Sequence, residues 1–165
     1  MKEIFLTQGK VALVDDDDFD FLNSFNWHLK RKKGNPDYAI RHLWRNGKRT
    51  TTTLHQEILN PPDGLICDHR DGDGLNNQRY NLRICSQSNN SMNRKPQEGT
   101  SLYKGVSYHK KGGKWAARIK TKGKIYNLGH YKNEINAAIA YNDAAKSMFG
   151  EYAKLNQIED VITAP

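Results

Sequence analysis

Cysteine is nearly missing from this chain of 165 residues. It has two, Cys67 and Cys85, too few for a disulfide framework or a four-cysteine zinc site. Both are read as reduced thiols packed as small hydrophobes, which suits a cytoplasmic protein. Long apolar runs are missing as well. None approaches the roughly 18 residues of a membrane span, and the N-terminal Met1–Phe5 has no signal-peptide character. Apolar residues make up 36%, below the usual range of about 45–50%. That excludes one thick core and favours two or more small, thin-cored units. Acids are missing from one stretch: Lys104–Lys124 has eight Lys or Arg and no Asp or Glu.

What is present is positive charge. The net charge is +8, which points to an anionic partner, nucleic acid ahead of a membrane surface. Residues 1–99 carry 15 basic and 13 acidic side chains, whereas residues 100–165 carry 11 and 5. The basic footprint therefore lies in the C-terminal third.

The pattern along the chain predicts an α+β fold in two parts. Lys10–Val14 reads as a strand. Asp15–Asp18, whose other reading is a metal cluster, then cap the positive end of a helix carrying Phe19, Phe21, Leu22 and Phe25. Asn46-Gly47 between Tyr38–Trp44 and Thr50–Leu54 marks a hairpin. Leu54–Leu59 is a short helix ended by Pro61-Pro62. Leu65–Cys67, the polar loop Asp68–Asn81, the strand Leu82–Cys85 and a helix capped by Ser86 and running to about Arg94 follow in order. Lys95–Ser101 (KPQEGTS) is composed like a linker. Beyond it come three strand segments, Lys104–His109, Lys114–Lys120 and Ile125–Gly129. A helix from the Asn133 cap to Phe149 closes the pattern. Its expected apolar side is Ala137, Ala140, Tyr141, Ala144 and Met148.

Chemistry concentrates in residues 65–94. Asp68 and His69 stand where a strand ends. Asn81 follows His69 by 12 residues, and Asn90 follows Asp68 by 22. A carboxylate at a strand end and an amide oxygen on the packed helix suit one hard cation, Mg²⁺ or Mn²⁺ rather than Zn²⁺. His69 beside it is placed to take a proton from water. Asn89 is a competing amide ligand. His55 is placed for packing or for a phosphate contact. Asp71-Gly72-Asp73-Gly74 is EF-hand-like but lacks the bidentate Glu at the loop end. Asn76 and Asn77 read as turn residues.

The ordered pattern DH…DG…LNN…NLR…N resembles the HNH endonuclease family, the ββα-metal fold, and is most similar to HNH homing endonucleases of phages and mobile introns. The resemblance covers Leu54–Arg94. It implies Asp68 and Asn90 as metal ligands, one Mg²⁺ or Mn²⁺ per active site. It also implies His69 as general base, and Asn81 as the catalytic-set residue bracing the loop that aims His69. The position that gives the family its final His is Asn90 here, which argues against a zinc-type ligand set. The implied reaction is hydrolysis of DNA to 5′-phosphate and 3′-hydroxyl ends, in a bacterial host cell or as a phage-encoded protein.

Lys114–Lys120 (KWAARIK) alternates in a strand. Trp115, Ala117 and Ile119 face the helix, while Ala116, Arg118 and Lys120 face outward. YKGV, GKWAARI, LGHY, the Ala-rich helix and the closing KLN resemble the Apetala-2-like, ethylene-response-factor DNA-binding domain. That resemblance implies a three-stranded antiparallel sheet on one helix, with the sheet in the major groove. The implied DNA contacts are Lys104, Ser107, His109, Arg118, Lys120, Ile125 and Asn127. Ser107, Ile125 and Asn127 depart from the Arg or Trp common in that family, so the plant target sequence is not expected to carry over.

The expected organisation is a nuclease domain at 1–95 with a β-rich extension before its 54–94 core, a linker at 96–100, the DNA-binding domain at 101–156 and a tail at 157–165. The expected partner is double-stranded DNA, with no membrane, no obligatory protein partner, and a monomer or homodimer. The alternatives are a non-catalytic DNA-binding regulator with a vestigial nuclease, and an RNA-binding protein. The intact Asp68, His69, Asn81 and Asn90 set argues against the first, and the scarcity of stacking aromatics on the expected sheet face against the second.

Overall fold

A proline pair, a handful of turn signals and three apolar clusters among the described residues organise the chain. The computed structural model describes residues 1–31, 34–93 and 99–158. Arg94, the first part of the expected linker (residues 96–98) and tail residues 159–165 lie outside the described residues. The chain divides into two compact units, Met1–Asn90 and Ser91–Pro165. The architecture is mixed α and β, with small antiparallel sheets and few helices. No helix among the described residues is long and apolar enough to cross a membrane.

In the first unit, β1 (Lys2–Phe5) pairs antiparallel with β2 (Val11–Val14). Ile4, Ala12 and Val14 alternate into the core while their neighbours face out. Then comes α1 (Asp16–Asn23), with Asp16, Asp17 and Asp18 in its first turn, where carboxylates meet the positive end of the helix dipole. The side chain of Asp15, at the N-cap position, makes no capping bond. It reaches instead across to the polar loop, as described below. Leu22 is the buried residue of this helix, and its carbonyl accepts from Trp27 Nε1 at 2.8 Å.

A three-stranded sheet follows: β3 (His28–Lys30), β4 (Tyr38–Arg45) and β5 (Lys48–Thr53), in the order β3-β4-β5. Asn46 and Gly47 both have positive φ, 51° and 71°, the conformation a two-residue hairpin needs. Next, α2 (Leu54–Leu59) starts on a capping box in which Gln56 Oε1 accepts from both the N–H (3.0 Å) and the hydroxyl (2.8 Å) of Thr53. It ends at Asn60 in the left-handed region, and the prolines then prevent continuation. A hairpin of β6 (Ile66–His69) and β7 (Leu82–Cys85) and the short α3 (Gln87–Met92) complete the order strand, loop, strand, helix. Ser86 Oγ accepts from Asn89 N at 3.2 Å, the expected cap. Leu82 of β7 shares one buried cluster with Ile4, Val14, Leu22, Trp27 and Leu54. The N-terminal strands are therefore part of the core that carries the β6–β7 hairpin.

In the second unit, β8 (Val106–His109), β9 (Lys114–Thr121) and β10 (Lys124–Tyr131) form an antiparallel sheet in the order β10-β9-β8. Helix α4 (Glu134–Phe149) begins where Asn133 Oδ1 accepts from Asn136 N at 2.8 Å. Ala117 and Ile119 are buried as expected, and Trp115 is half-buried. The buried side of the helix is Ala137, Ala138, Tyr141, Ala145 and Phe149. It is rotated from the expected stripe, so that Ala140 and Ala144 lie at its margin and Met148 is exposed. The alanines give no volume signal to mark the seam. The bulky Tyr141 and Phe149 set it.

Candidate active site and nucleic-acid interface

Strand β6 turns polar at its last two residues. Asp68 stands directly opposite Arg83 of β7, and His69 opposite Leu82. The cross-strand neighbours Asp68 and Arg83 are both buried, and both Nε (2.9 Å) and Nη2 (2.6 Å) of Arg83 donate to Asp68 Oδ2. The sequence reading missed Arg83. The signal was there: a charged residue inside an apolar strand whose hairpin partner is an acid.

His69 is 5% exposed. Its Nε2 lies 3.2 Å from Oδ1 of Asn77, which is fully buried. The Asn77 amide nitrogen donates to Gly74 O at 3.4 Å, so its oxygen is the atom turned to the ring. An amide oxygen only accepts. The contact thus places the ring proton on Nε2 and the lone pair on Nδ1. Asn77, expected to be a turn residue, instead fixes the tautomer of His69. Its own backbone is held by β2: Asn77 N donates to Leu13 O, and Leu13 N to Leu75 O, both at 2.8 Å. Two acids of the N-terminal run pin the loop further along. Asp15 Oδ2 accepts from Arg79 N at 2.7 Å, and Asp18 from the Arg79 guanidinium at 2.8 and 2.6 Å.

Asn81 is buried, and its amide joins both sides of the loop. Its oxygen accepts from Asp71 N (3.1 Å). Its nitrogen donates to Asp71 Oδ1 (3.0 Å) and Asn76 O (2.8 Å). The Asp71 and Asp73 carboxylates accept backbone N–H groups of Asp73 (2.8 Å) and Leu75 (3.0 Å). They act as turn formers there. Burial raises the Asp71 pKa, but the hydrogen bonds from Asp73 N, Asn76 and Asn81 and the charge of His69 outweigh it, and the net shift is downward.

A wall of rings closes the other side. His55 of α2 meets His69 edge-on at 4.8 Å between centroids. Tyr38 of β4 lies 5.5 Å from His55 and 5.9 Å from His69. Burial, with the charge of His69, pushes His55 down to about 3, so it stays neutral and packs. Burial also lowers His69 below its usual 6.5, opposed by the Asn77 bond and by Asp71, Asp68 and Asp73. Burial, then Asp68, raises Tyr38. Gly74 is required here, because a Cβ would stand 2.6 Å from the Tyr38 ring and against Asp37 O. Gly74→Ala should therefore cost about 1–3 kcal/mol of stability by overpacking. Thermal denaturation checks this, and an unchanged Tm would show that the ring moves aside freely.

Asn90 sits half-buried in α3, its N–H donating to Ser86 O at 3.0 Å, and Asn89 is half-buried beside it. Among the described residues no group of three or more His, Cys, Asp or Glu is gathered as a metal cluster. Burial, then mutual charge, pushes Cys67 up to about 11. Burial, then Asp68, raises Cys85. Neither thiol offers a thiolate near neutral pH. The donors that remain, a carboxylate and amide oxygens, fit a hard cation that keeps several waters.

In the second unit the outer face of the sheet carries Ser107 and His109 of β8, Arg118 and Lys120 of β9, and Ile125 and Asn127 of β10. All six are exposed, with Arg118 paired to Asn127 and Lys120 to Ile125. Lys104 lies outside this sheet, before β8. Its ammonium donates to Met92 O, and burial, with the nearby Lys154, lowers it to about 8. Ala116 was expected to be exposed but is 1% exposed. It stands between Ser107 and His130, and the rings of His109 and His130 lie 6.0 Å apart. A β-bulge between Asn127 and Gly129 shifts the register and turns His130 outward. Strict alternation from Ile125 hides that residue.

Residues 101–151 match the AP2 domain family. A protein of Acanthamoeba polyphaga mimivirus described as an uncharacterized HNH endonuclease is 27% identical over 152 residues, covering 92% of this chain and 78% of that protein. Protein 3.8 of Escherichia phage T7 is 39% identical over 68 residues, covering 41% of this chain and 56% of that protein. The dehydration-responsive element-binding protein 2C of Arabidopsis thaliana is 38% identical over 63 residues, covering 37% of this chain and 18% of that protein. No solved structure matches the chain. The chain thus joins a C-terminal AP2 match to a distant likeness with an HNH endonuclease.

Proposed function

We propose that this chain is a metal-dependent DNA endonuclease of the HNH type, encoded by a phage or mobile element, whose AP2 module selects the site. One observation carries the reading: a buried histidine at a strand end, its tautomer held by Asn77, stands beside a buried, hydrogen-bonded Asp68–Arg83 pair and a loop braced by Asn81. The likeness to the mimivirus protein supports it.

In this reading Nδ1 of His69 takes the proton of an attacking water. Asn77 holds the opposite nitrogen protonated, and the rings of Tyr38 and His55 keep the imidazole in one orientation. Arg83 holds the Asp68 carboxylate in place. Asp68 and Asn90 would hold a Mg²⁺ or Mn²⁺ ion, which supplies positive charge against the scissile phosphate oxygens. Arg118, Lys120, Asn127, His109, Ser107 and Ile125 form the DNA-facing surface of the second unit, and Lys104 borders it. Supercoiled plasmid incubated with the full chain and Mg²⁺ should be nicked or linearised, and EDTA should stop the reaction. Cutting that persists in EDTA would remove the metal from the reading. A chain that binds duplex DNA and never cuts it would establish the regulator, which the Arabidopsis relatives favour by their names.

A further inference from the structure

We infer that the β4–β5 hairpin of the first unit is a second duplex-DNA surface, a two-stranded ribbon that enters the major groove and leads the strand to His69. The inference deepens the nuclease reading and rests on it. Strand β3 covers only Tyr38–Ile40 of β4. Beyond that, β4 and β5 pair alone down to Arg45 opposite Lys48. A free two-stranded ribbon is one of the two elements the major groove admits.

The charge of this ribbon is all of one sign. Between Tyr38 and Gln56 there are four Arg or Lys and no Asp or Glu. Arg41 is tied to Glu57 at 3.1 Å and stacked on Phe25 at 3.8 Å. The other three, Arg45, Lys48 and Arg49, are exposed at the tip. Trp44 stands opposite Arg49 and is 75% exposed. An indole left in water beside three cations has no role in the core of the unit.

The face also has a direction. Side chains alternate along a strand, so Tyr38, His42 and Trp44 share one face of β4. The Tyr38 ring lies 5.9 Å from that of His69. From Tyr38 to Trp44 the strand advances about 20 Å at about 3.4 Å per residue. A duplex lying on Trp44 and Arg49 therefore runs along the same face toward the candidate base. Charge complementarity and this continuity commit the surface to DNA.

The test uses the full chain and a mixed-sequence duplex, in EDTA so that nothing is cut. Arg49→Gln should flatten the log–log dependence of affinity on salt by about one unit, because each lost phosphate contact removes about 0.9. In a Trp115→Phe chain the remaining indoles are buried Trp27 and exposed Trp44. Saturating duplex should then protect Trp44 from acrylamide quenching. An unchanged slope, or unprotected Trp44 at saturation, overturns the inference. Equal protection and slope change on single-stranded DNA overturns the groove-binding form in favour of a stacking platform. Cleavage in Mg²⁺ is scored separately. A chain that never cuts but shows both binding effects faults the nuclease reading alone. A chain that cuts but shows neither faults the ribbon alone.

Discussion

His69→Ala is expected to reduce DNA cleavage by about 10²–10⁴-fold, the usual contribution of a general base, with duplex affinity unchanged. The site gives reasons to expect a clean separation. His69 is buried and no part of the outer sheet face at Arg118 and Lys120. Its removal takes away the proton acceptor and leaves the amide oxygen of Asn77 without its ring partner, at about 1–3 kcal/mol of stability. That cost is moderate, so the folded variant can be assayed, and its Tm and DNA affinity measured beside its rate. Free imidazole added to the His69→Ala protein should restore part of the cleavage, which a merely structural role would not allow. Asn77→Ala should lower kcat more than it raises KM, because it disturbs the tautomer and not the DNA surface. Cleavage by His69→Ala at near wild-type rate would sink the assignment.

Much of this arrangement was legible because local chemistry and global fold agree. The Asn46-Gly47 turn, the Asn133 cap and the apolar strands ending at Cys67 and Cys85 each carry their own signal within a few residues. The parts that escaped are those where a distant segment decides. Asp15 carries the signature of a helix cap, yet its carboxylate bonds Gln78 and Arg79 across the unit. Asn77 sits in a run of turn formers, and only its docking on Leu13 of β2 buries it against His69. His130 is turned outward by a bulge that costs one residue of register, which no alternation rule anticipates. Ala116 is shielded by side chains on two other strands. The metal roles of Asp68 and Asn90 rest on the resemblance to the HNH pattern together with their 22-residue spacing. The spacing did not reveal that Asp68 would be met first by an arginine.

That arginine gives the second large effect. Asp68 and Arg83 are buried, at 6% and 7% exposure, and joined by two donors on one oxygen. Removing one partner strands the other charge, so Asp68→Leu and Arg83→Leu should each lose about 3–5 kcal/mol. Urea denaturation of the full chain measures this. The double variant, Asp68→Leu with Arg83→Leu, removes both charges. It should recover most of the loss, because replacing a buried ion pair by apolar groups is often neutral or stabilising by about 1–4 kcal/mol. Yet it should be as inactive as Asp68→Leu alone, since neither leucine can hold a cation or a phosphate. Stability and cleavage would then part company in one protein. Such a split means that the pair is kept for its chemistry and not for the fold. Single variants within about 1 kcal/mol of wild type would show that the charges are solvated in solution. An active double variant would show that cleavage proceeds without Asp68, and the metal would have to be held elsewhere.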